Sequence, residues 1–323
     1  MEELTIKFLN ITTIKFIGKR EYIELIRKYY PGLEKKDEKE NYIVRLDDTT
    51  IPLNIKIPEN AIFQRCFAGP YYYSWKKGEN YFAYSPKDER TEEHLVIRNK
   101  REFTVIVNEG EKYKPIIGVS REILIREVIS KGYMPIHASV VSKNKKGIIF
   151  FGNKNKGKST SLFSSVLYSE AKPMSGDIAI MVKKDNKWRV IGWPWTLTIN
   201  NSYFDLIKKK PKFNTPNKSK IKYLPADFCV EFATEWVWEE EVEKIINVEL
   251  DPSNSGKLKK IKSEELESRL EKYGREDWWK WGDVFNLGKK EPIYKYKELS
   301  YDLQGEELTG DIIEFFKEKN NEI

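Results

Sequence analysis

The chain contains 323 residues, of which 40% are hydrophobic, and its 57 basic residues are opposed by 50 acidic ones, for a formal net charge of +7. This length favours two domains, and the apolar content is sufficient for a sizeable core. No apolar run reaches the roughly 20 residues that cross a bilayer, and the N-terminus lacks a secretory pattern, so we expect a cytoplasmic protein without a membrane partner. Because the charges are nearly balanced, nucleic acid is only a secondary expectation as a partner.

Cysteine and histidine are scarce in this sequence. The two cysteines, Cys66 and Cys229, lie far apart and outside any CxxC pair, and the two histidines are His94 and His137. These counts argue against a disulfide framework, a zinc-finger site and a histidine-rich metal cluster. Carboxylates and phosphates remain as the expected metal ligands, and Mg²⁺ suits them best.

The first 115 residues are rich in strand patterns. Residues 4–8, 51–57 and 103–107 alternate between apolar and polar side chains, which is typical of β-strands. Residues 20–30 instead carry apolar side chains at helical spacing and precede a proline, which predicts a helix. We therefore predict a β-rich N-terminal domain over residues 1–115, which is a candidate for substrate recognition.

The second predicted domain, residues 116–323, begins with a helix and two strands. Ser120 is a suitable N-cap for a helix of about twelve residues that ends at Gly132. Residues 136–141 and 147–151 have the composition of strands and are joined by a polar turn. The second of these strands leads directly into a glycine-containing loop.

That loop carries the strongest functional signal in the sequence. It reads G-N-K-N-K-G-K-S-T, a full match to the G-x-x-x-x-G-K-[ST] pattern of the nucleotide-binding P-loop. Its two glycines let the backbone N–H groups turn inward around phosphates, and the helix that follows contributes its positive end. We therefore predict that ATP is bound by Gly152, Asn153, Lys154, Asn155, Lys156, Gly157, Lys158, Ser159 and Thr160.

Separate roles are expected for individual residues near this loop. Lys158 is expected to reach the β- and γ-phosphates, and the Ser159 hydroxyl to complete the coordination of Mg²⁺. A carboxylate must also hold the metal or orient the nucleophile, and Asp177 is the first suitable residue downstream, at the mouth of a predicted strand. Asp185 is better explained as the solvated tip of a hairpin, so we prefer Asp177.

Residues 119–200 resemble a known family. The segment His137-Ala138-Ser139 on a strand, a short hairpin, a strand into the P-loop and then Gly176-Asp177 is similar to the HPr kinase/phosphorylase superfamily. That superfamily includes shorter HPr-kinase-related proteins from peptide-modification gene clusters and shares its fold with ATP-dependent phosphoenolpyruvate carboxykinases. The resemblance implies an α/β P-loop domain at the C-terminal side of a chain that is α+β overall. It also implies that His137 lies close to the phosphates and that Asp177 acts on the acceptor hydroxyl and the metal.

The sequence departs from that family at one position. The family has two adjacent acids where this chain has Gly176-Asp177, which leaves three alternatives open. Asp177 combines both duties, another acid such as Glu170 approaches, or the protein binds nucleotide without rapid phosphoryl transfer. The extra phosphorylase loop of the family is not recognisable here, so we expect a kinase alone.

Together these features predict an ATP- and Mg²⁺-dependent kinase that transfers the γ-phosphoryl group to a hydroxyl, by resemblance a serine of a peptide or protein. Asp177, His137 and Lys158 are the predicted catalytic residues, and Ser159 and Asp177 the predicted metal ligands. A regulatory module that binds nucleotide without catalysis and a polynucleotide kinase remain as alternatives, and an oligomer is compatible with the sequence. The polynucleotide kinase is suggested by lysine-rich residues 208–222, expected to form an exposed loop, and by the tryptophans Trp236, Trp238, Trp278, Trp279 and Trp281.

Overall fold

The structure is a computed structural model that describes residues 1–48, 53–66, 69–87, 92–107, 113–212, 219–275, 282–288 and 290–319. It divides into two compact units, of which unit 1 comprises Met1–Lys131 with Asp277–Pro292 and unit 2 comprises Gly132–Glu276 with Ile293–Ile323. Strand residues outnumber helical ones, and the predicted mixture of helices and strands is confirmed. No helix in the described ranges is long and apolar enough to cross a membrane.

Among its described residues, unit 1 contains nine strands and two helices. In chain order they are β1 Glu2–Phe8, β2 Thr12–Gly18, α1 Arg20–Tyr29, β3 Glu34–Lys35, β4 Tyr42–Asp48, β5 Ile62–Arg65, β6 Tyr71–Lys77, β7 Asn80–Ser85, β8 His94–Asn99, β9 Glu102–Val107 and α2 Tyr113–Ser130.

The strands of unit 1 form one sheet in the order β3-β1-β2-β4-β9-β8-β7-β6-β5. The pairs β2–β4 and β4–β9 are parallel, and the remaining pairs are antiparallel. Helices α1 and α2 contact the sheet and each other. The segment 282–288 adds Phe285 to the core, where its ring lies 5.5 Å from that of Tyr72 and 5.9 Å from that of Phe103, measured between centroids. Unit 1 is thus β-rich and discontinuous in sequence.

The structure corrects the predicted start of α2. The helix begins at Tyr113, seven positions before the proposed N-cap Ser120. Ser120 is fully buried inside the helix, where its hydroxyl donates to the Ile117 carbonyl and also bonds to the Tyr30 hydroxyl. Pro115 did not prevent the earlier start, because a proline in the first turn of a helix removes no intrahelical hydrogen bond. The whole helix, which the sequence analysis assigned to the second domain, lies in unit 1.

One other segment of unit 1 differs from the sequence-based expectation. Residues 53–57, the described part of the predicted strand 51–57, are not in a strand. The predicted strands over residues 4–8 and 103–107 and the helix over residues 20–30 are confirmed as β1, β9 and α1.

Unit 2 contains ten strands and six helices among its described residues. They are β10 Met134–Lys143, β11 Lys146–Phe151, α3 Lys158–Tyr168, β12 Lys172–Ser175, β13 Ile178–Lys184, β14 Lys187–Ile191, β15 Leu197–Asn200, α4 Ser202–Leu206, β16 Lys220–Tyr223, α5 Pro225–Phe232, β17 Glu239–Leu250, β18 Lys257–Lys260, α6 Ser263–Arg269, α7 Tyr296–Asp302, β19 Gln304–Gly310 and α8 Ile312–Glu318. A π-helical turn, Leu270–Gly274, follows α6.

The main sheet of unit 2 closes on itself. Strand β11 pairs with β10 along one edge and, in parallel, with β17 along its other edge. Strand β13 pairs with β10 and with β14, and β14 in turn pairs with β17. One face of this sheet packs against α3, α8 and the small two-stranded sheet β15–β16 in a buried cluster that includes Phe150, Phe163 and Phe228. That packing holds the loop after β11 between a buried strand and a buried helix.

Candidate functional site

The predicted P-loop connects β11 to α3 in unit 2. Gly152 has a φ of 149° and Gly157 a φ of 104°, both in the region that favours glycine. A Cβ atom on Gly152 would lie 2.6 Å from the Val248 carbonyl oxygen, and one on Gly157 would lie 2.4 Å from Cδ1 of Ile312. Both positions therefore require glycine for conformation and for space, which is the physical reason for the spacing of the motif.

The helix after the loop begins at Lys158, as predicted, with Gly157 as its N-cap. The Lys158 ammonium donates hydrogen bonds to the carbonyl oxygens of Gly152 (2.9 Å) and Asn153 (3.1 Å), so the side chain folds back across the loop. Leu162 and Phe163 of α3 are buried in the core of unit 2. The loop thus presents backbone N–H groups, a lysine and a helix N-terminus to one side, a donor set suited to phosphate.

His137 and Asp177 are adjacent although 40 residues separate them in the sequence. Strand β10 pairs with β13 so that His137 lies opposite Ile178, and the Ala138 N–H donates to the Asp177 carbonyl oxygen at 3.1 Å. His137 Nε2 lies 3.1 Å from Asp177 Oδ1, within hydrogen-bonding distance. The strand pairing therefore fixes the position of the carboxylate, and the imidazole fixes its orientation.

Asp177 is held in its ionised form by its surroundings. Partial burial acts to raise the pKa of this carboxyl, but the hydrogen bond from His137 and the electrostatic influence of His137 and the Lys158 ammonium outweigh burial. The net result is a pKa below the usual value for aspartate. About half of the side chain, 52%, is exposed. The group is therefore available to a ligand as an anion at neutral pH.

Packing around Gly176, the position before Asp177, disfavours a second acidic side chain there. A Cβ atom on Gly176 would lie 2.6 Å from Cδ2 and 3.4 Å from Cα of Leu197. Leu197 is fully buried in the core of unit 2, so it has little freedom to withdraw. A side chain at position 176 would force Leu197 to shift, at a cost in packing. Glu170, the alternative acid, lies after the end of α3 and is not among the described residues that line the cleft.

The loop and the His137–Asp177 pair open into one cleft of about 440 Å³. From the predicted set, its lining includes Lys154, Asn155, Gly157, Lys158, Ser159, Thr160, His137 and Asp177. Gly152, Asn153 and Lys156 complete the loop but do not line this space; the ammonium of Lys156 instead pairs with Glu249 at 3.0 Å. The structure thus brings the three predicted catalytic residues to one cavity.

A second wall of the cleft was not predicted. It comprises Trp195, Thr196 and the polar side chains of β15 and β16, which are Thr198, Asn200 and Lys220. The available signal was the alternation of L-T-I-N and K-I-K-Y, in which every second residue is buried. That pattern predicts two strands with one polar face, but it does not indicate that the polar face turns towards the P-loop.

The remaining predicted features lie outside the cleft. Asp185 occupies the tight turn between β13 and β14 with a φ of 50°, as expected for a hairpin tip. Of the lysine-rich residues 208–222, those at 213–218 are outside the described ranges, and Lys220 and Lys222 belong to strand β16 rather than to a loop. Trp236 and Trp238 pack against each other with centroids 5.7 Å apart, whereas Trp278, Trp279 and Trp281 are outside the described ranges.

The site fits a nucleotide with Mg²⁺ in its donor set. Ser159 and Asp177 supply two oxygen donors to the same cleft, and Mg²⁺ prefers oxygen ligands that include phosphates and water. Within the described ranges, no group of three or more histidine, cysteine, aspartate or glutamate side chains could hold a metal by itself. A metal in this cleft would therefore depend on oxygen atoms that its ligand provides.

Fold and site together define a mixed α/β unit in which a glycine-containing loop and a carboxylate line the same cleft. No protein-family model matches the chain, and a search of curated proteins gives no match. Among solved structures, the Hpr(Ser) kinase/phosphatase from Coxiella burnetii is similar at 13% identity and a TM-score of 0.26, over 55% of this chain and 85% of its own. This similarity is distant, and the interpretation of the cleft rests on its own residues.

Proposed function

We propose that this protein is an ATP-dependent kinase that transfers the γ-phosphoryl group to a hydroxyl of a peptide or protein. The observation that carries the proposal is the shared cleft: a loop suited to phosphates forms one side, and an ionised carboxylate oriented by an imidazole faces the same space. Phosphoryl transfer needs positioning and charge stabilisation more than covalent participation by the protein, and this arrangement supplies both.

Each residue of the cleft has a separate role in the proposed reaction. Lys158 and the loop N–H groups hold the phosphate chain, and Lys158 neutralises charge as the bond between the γ-phosphorus and its bridging oxygen breaks. Mg²⁺, held by Ser159, Asp177 and the phosphates, would supply further charge neutralisation. Asp177 accepts a hydrogen bond from the acceptor hydroxyl, and this hydrogen bond orients the hydroxyl oxygen towards the γ-phosphorus. As the new P–O bond forms, the hydroxyl proton passes to the Asp177 carboxylate, which His137 keeps in place, and ADP leaves with the electrons of the broken bond.

One carboxylate is sufficient for this arrangement. The transition state of phosphoryl transfer is loose, so the acceptor needs orientation more than early loss of its proton. A carboxylate with a lowered pKa is a weak base but a good hydrogen-bond acceptor, which suits Asp177 to an orienting role. This is why we favour catalysis over the alternative of a module that only binds nucleotide.

The experiment incubates the protein with γ-labelled ATP and Mg²⁺ and compares serine-containing peptides with RNA and DNA ends as acceptors. We expect label on peptide only. Lys158→Ala should abolish tight ATP binding in calorimetry without loss of folding, because the Lys158 ammonium bonds to the loop carbonyls of Gly152 and Asn153. Label on nucleic acid alone would support a polynucleotide kinase. ATP binding with no label on any acceptor would support a regulatory module, and unchanged ATP affinity in folded Lys158→Ala would refute the P-loop assignment.

A further inference from the structure

The second wall of the cleft carries a positively charged side chain, that of Lys220, which is not part of the predicted phosphate site. Lys220 on β16 alternates with the buried residues Ile221 and Tyr223, so the core fixes its backbone while its side chain is exposed to the cleft. Among the described residues, Lys220 makes no ion pair. The loop wall already has Lys154 and Lys158, and Asp177 is the one carboxylate among the described residues that line the cleft. Lys220 is therefore a cation that lines the cleft from strand β16, outside the predicted phosphate-binding loop.

Asn200 stands beside this lysine. Strands β15 and β16 are antiparallel, and Asn200 is directly opposite Lys220 in their register. Residues directly opposite in an antiparallel pair have Cβ atoms about 5 Å apart, so one small anionic group can contact both side chains. An ammonium and an amide N–H₂ are both hydrogen-bond donors, a combination that suits a carboxylate.

The start of β15 ties this pair to the proposed acceptor site. The Cα atom of Leu197 lies 3.4 Å from where a Cβ on Gly176 would stand, so β15 begins next to Asp177. Asn200 is three positions further along the strand. At about 3.3 Å per residue, the strand covers roughly 10 Å between the two points, which an extended peptide also covers in about three residues.

We infer that Lys220 and Asn200 form a subsite for an acidic side chain of the acceptor peptide, about three residues from the phosphorylated hydroxyl. This inference rests on the proposed kinase function and names a preference within it. It locates the recognition of acidic residues on strand β16 rather than on Lys208, Lys209 and Lys210, none of which lines the cleft. Lys209 instead stacks over the ring of Phe232, 4.9 Å from its centroid.

The test uses the full-length protein and peptides with one serine and a single aspartate moved from four residues before it to four residues after it. We expect the lowest KM at about three residues on one side. Lys220→Glu should raise the KM for that peptide by about three- to tenfold, with little change in kcat, since an exposed charge remote from the reacting atoms contributes mainly uniform binding. The same variant should prefer a peptide with lysine in place of the aspartate. Added salt should reduce both effects.

Lys222→Glu is the matched control, because Lys222 lies on the same face of β16 and is exposed but does not line the cleft. A thermal melt and calorimetry with ATP accompany each variant, and Lys220→Gln removes the charge with less risk to folding. Three results would each overturn the subsite. Lys222→Glu could raise the peptide KM as much as Lys220→Glu does, or Lys220→Glu could weaken ATP binding as much as it raises the peptide KM. The third result is a KM that does not depend on the position of the aspartate. If ATP binds but no peptide is phosphorylated, the proposed function fails first; peptide phosphorylation that ignores Lys220 leaves that function standing.

Discussion

Gly176 and Asp177 occupy the bend between β12 and β13, and each is constrained by a different neighbour. Asp177 is oriented by His137, whereas Gly176 is covered by the buried side chain of Leu197. A single carboxylate in this bend is therefore a property of the packing around it. Two predictions at the scale of single residues follow from these contacts.

The first concerns the charge of Asp177. Asp177→Asn keeps the shape of the side chain but removes its negative charge, so we expect phosphoryl transfer to fall by at least about a hundredfold while ATP still binds. Single-turnover rates with labelled ATP measure the step directly. Asp185→Asn, at the hairpin tip, is the matched control and should leave the rate unchanged. A rate within a few-fold of wild type in Asp177→Asn would remove this residue from the mechanism and direct attention to Glu170.

The second concerns the space at Gly176. Gly176→Asp would restore the paired acids of the resembling family, yet we expect it to lower the free energy of unfolding by about 1–3 kcal/mol and not to raise activity, because its Cβ meets Leu197. Urea denaturation measures the loss. The double variant Gly176→Asp/Leu197→Ala provides the room, so it should lose less stability than the two single changes added together. Strict additivity would show that Leu197 does not close this position.

At the scale of elements, the sequence predicted the parts of the site that are continuous in the chain. The pattern of apolar residues and the glycine motif identified β10, β11, the loop and α3, because each is determined by neighbours a few residues away. The wall formed by β15 and β16 was not predicted, since it depends on how α3 and the sheet pack against the buried faces of these strands. The early start of α2 was missed because Ser120 is a good N-cap in isolation but lies buried within the helix.

A pH-dependent contact joins β11, β14 and β17. Glu241 accepts hydrogen bonds from Lys146 (2.7 Å) and Lys187 (2.9 Å), and these lower its pKa from a usual 4.5 to about 2. A carboxyl with a lowered pKa in the folded state stabilises the fold above the unfolded pKa, and the contribution is lost as pH falls towards the folded value. Glu241→Gln should thus be less stable than wild type at pH 7, with a difference that shrinks between about pH 4.5 and pH 2.

Urea titrations at several pH values measure this difference. Glu243→Gln is the control, because Glu243 is exposed on the same strand and its substitution removes the same charge. A difference between Glu241→Gln and wild type that stays constant from pH 7 to pH 2 would contradict the assignment, as would an equal pH dependence in the control.

At the scale of the whole molecule, the residues of the cleft all belong to unit 2, whereas Phe285 belongs to unit 1 despite its position late in the chain. Arg126 donates to the Gly282 carbonyl at 3.2 Å and Arg98 to the Phe285 carbonyl at 2.8 Å, so the segment is bound through its backbone as well as its ring. No local pattern in the sequence indicates such a return, because the segment is short and its partners lie far away in the chain.

This division predicts separable effects of two core substitutions. Phe285→Ala should lower the stability of unit 1 by about 3–5 kcal/mol and leave ATP affinity unchanged, because Phe285 is 1% exposed and lies in the other unit from the cleft. Phe316→Ala, in the core beside Phe150, should weaken unit 2 and with it ATP binding. Hydrogen exchange resolved along the chain and calorimetry measure both. Loss of ATP affinity in Phe285→Ala equal to that in Phe316→Ala would show that the two units do not act separately.

The order of synthesis determines when the close contact between Gly157 and Ile312 can form. The loop leaves the ribosome well before Ile312, whose side chain fills the space beside Gly157, and before β19, which extends the sheet next to β17. At the usual rate of about 5–20 residues per second, a nascent chain carries an unsupported loop for many seconds. Under the proposed function, we therefore expect that the growing chain does not retain ATP during that interval and that ATP stabilises unit 2 only after α8 has docked.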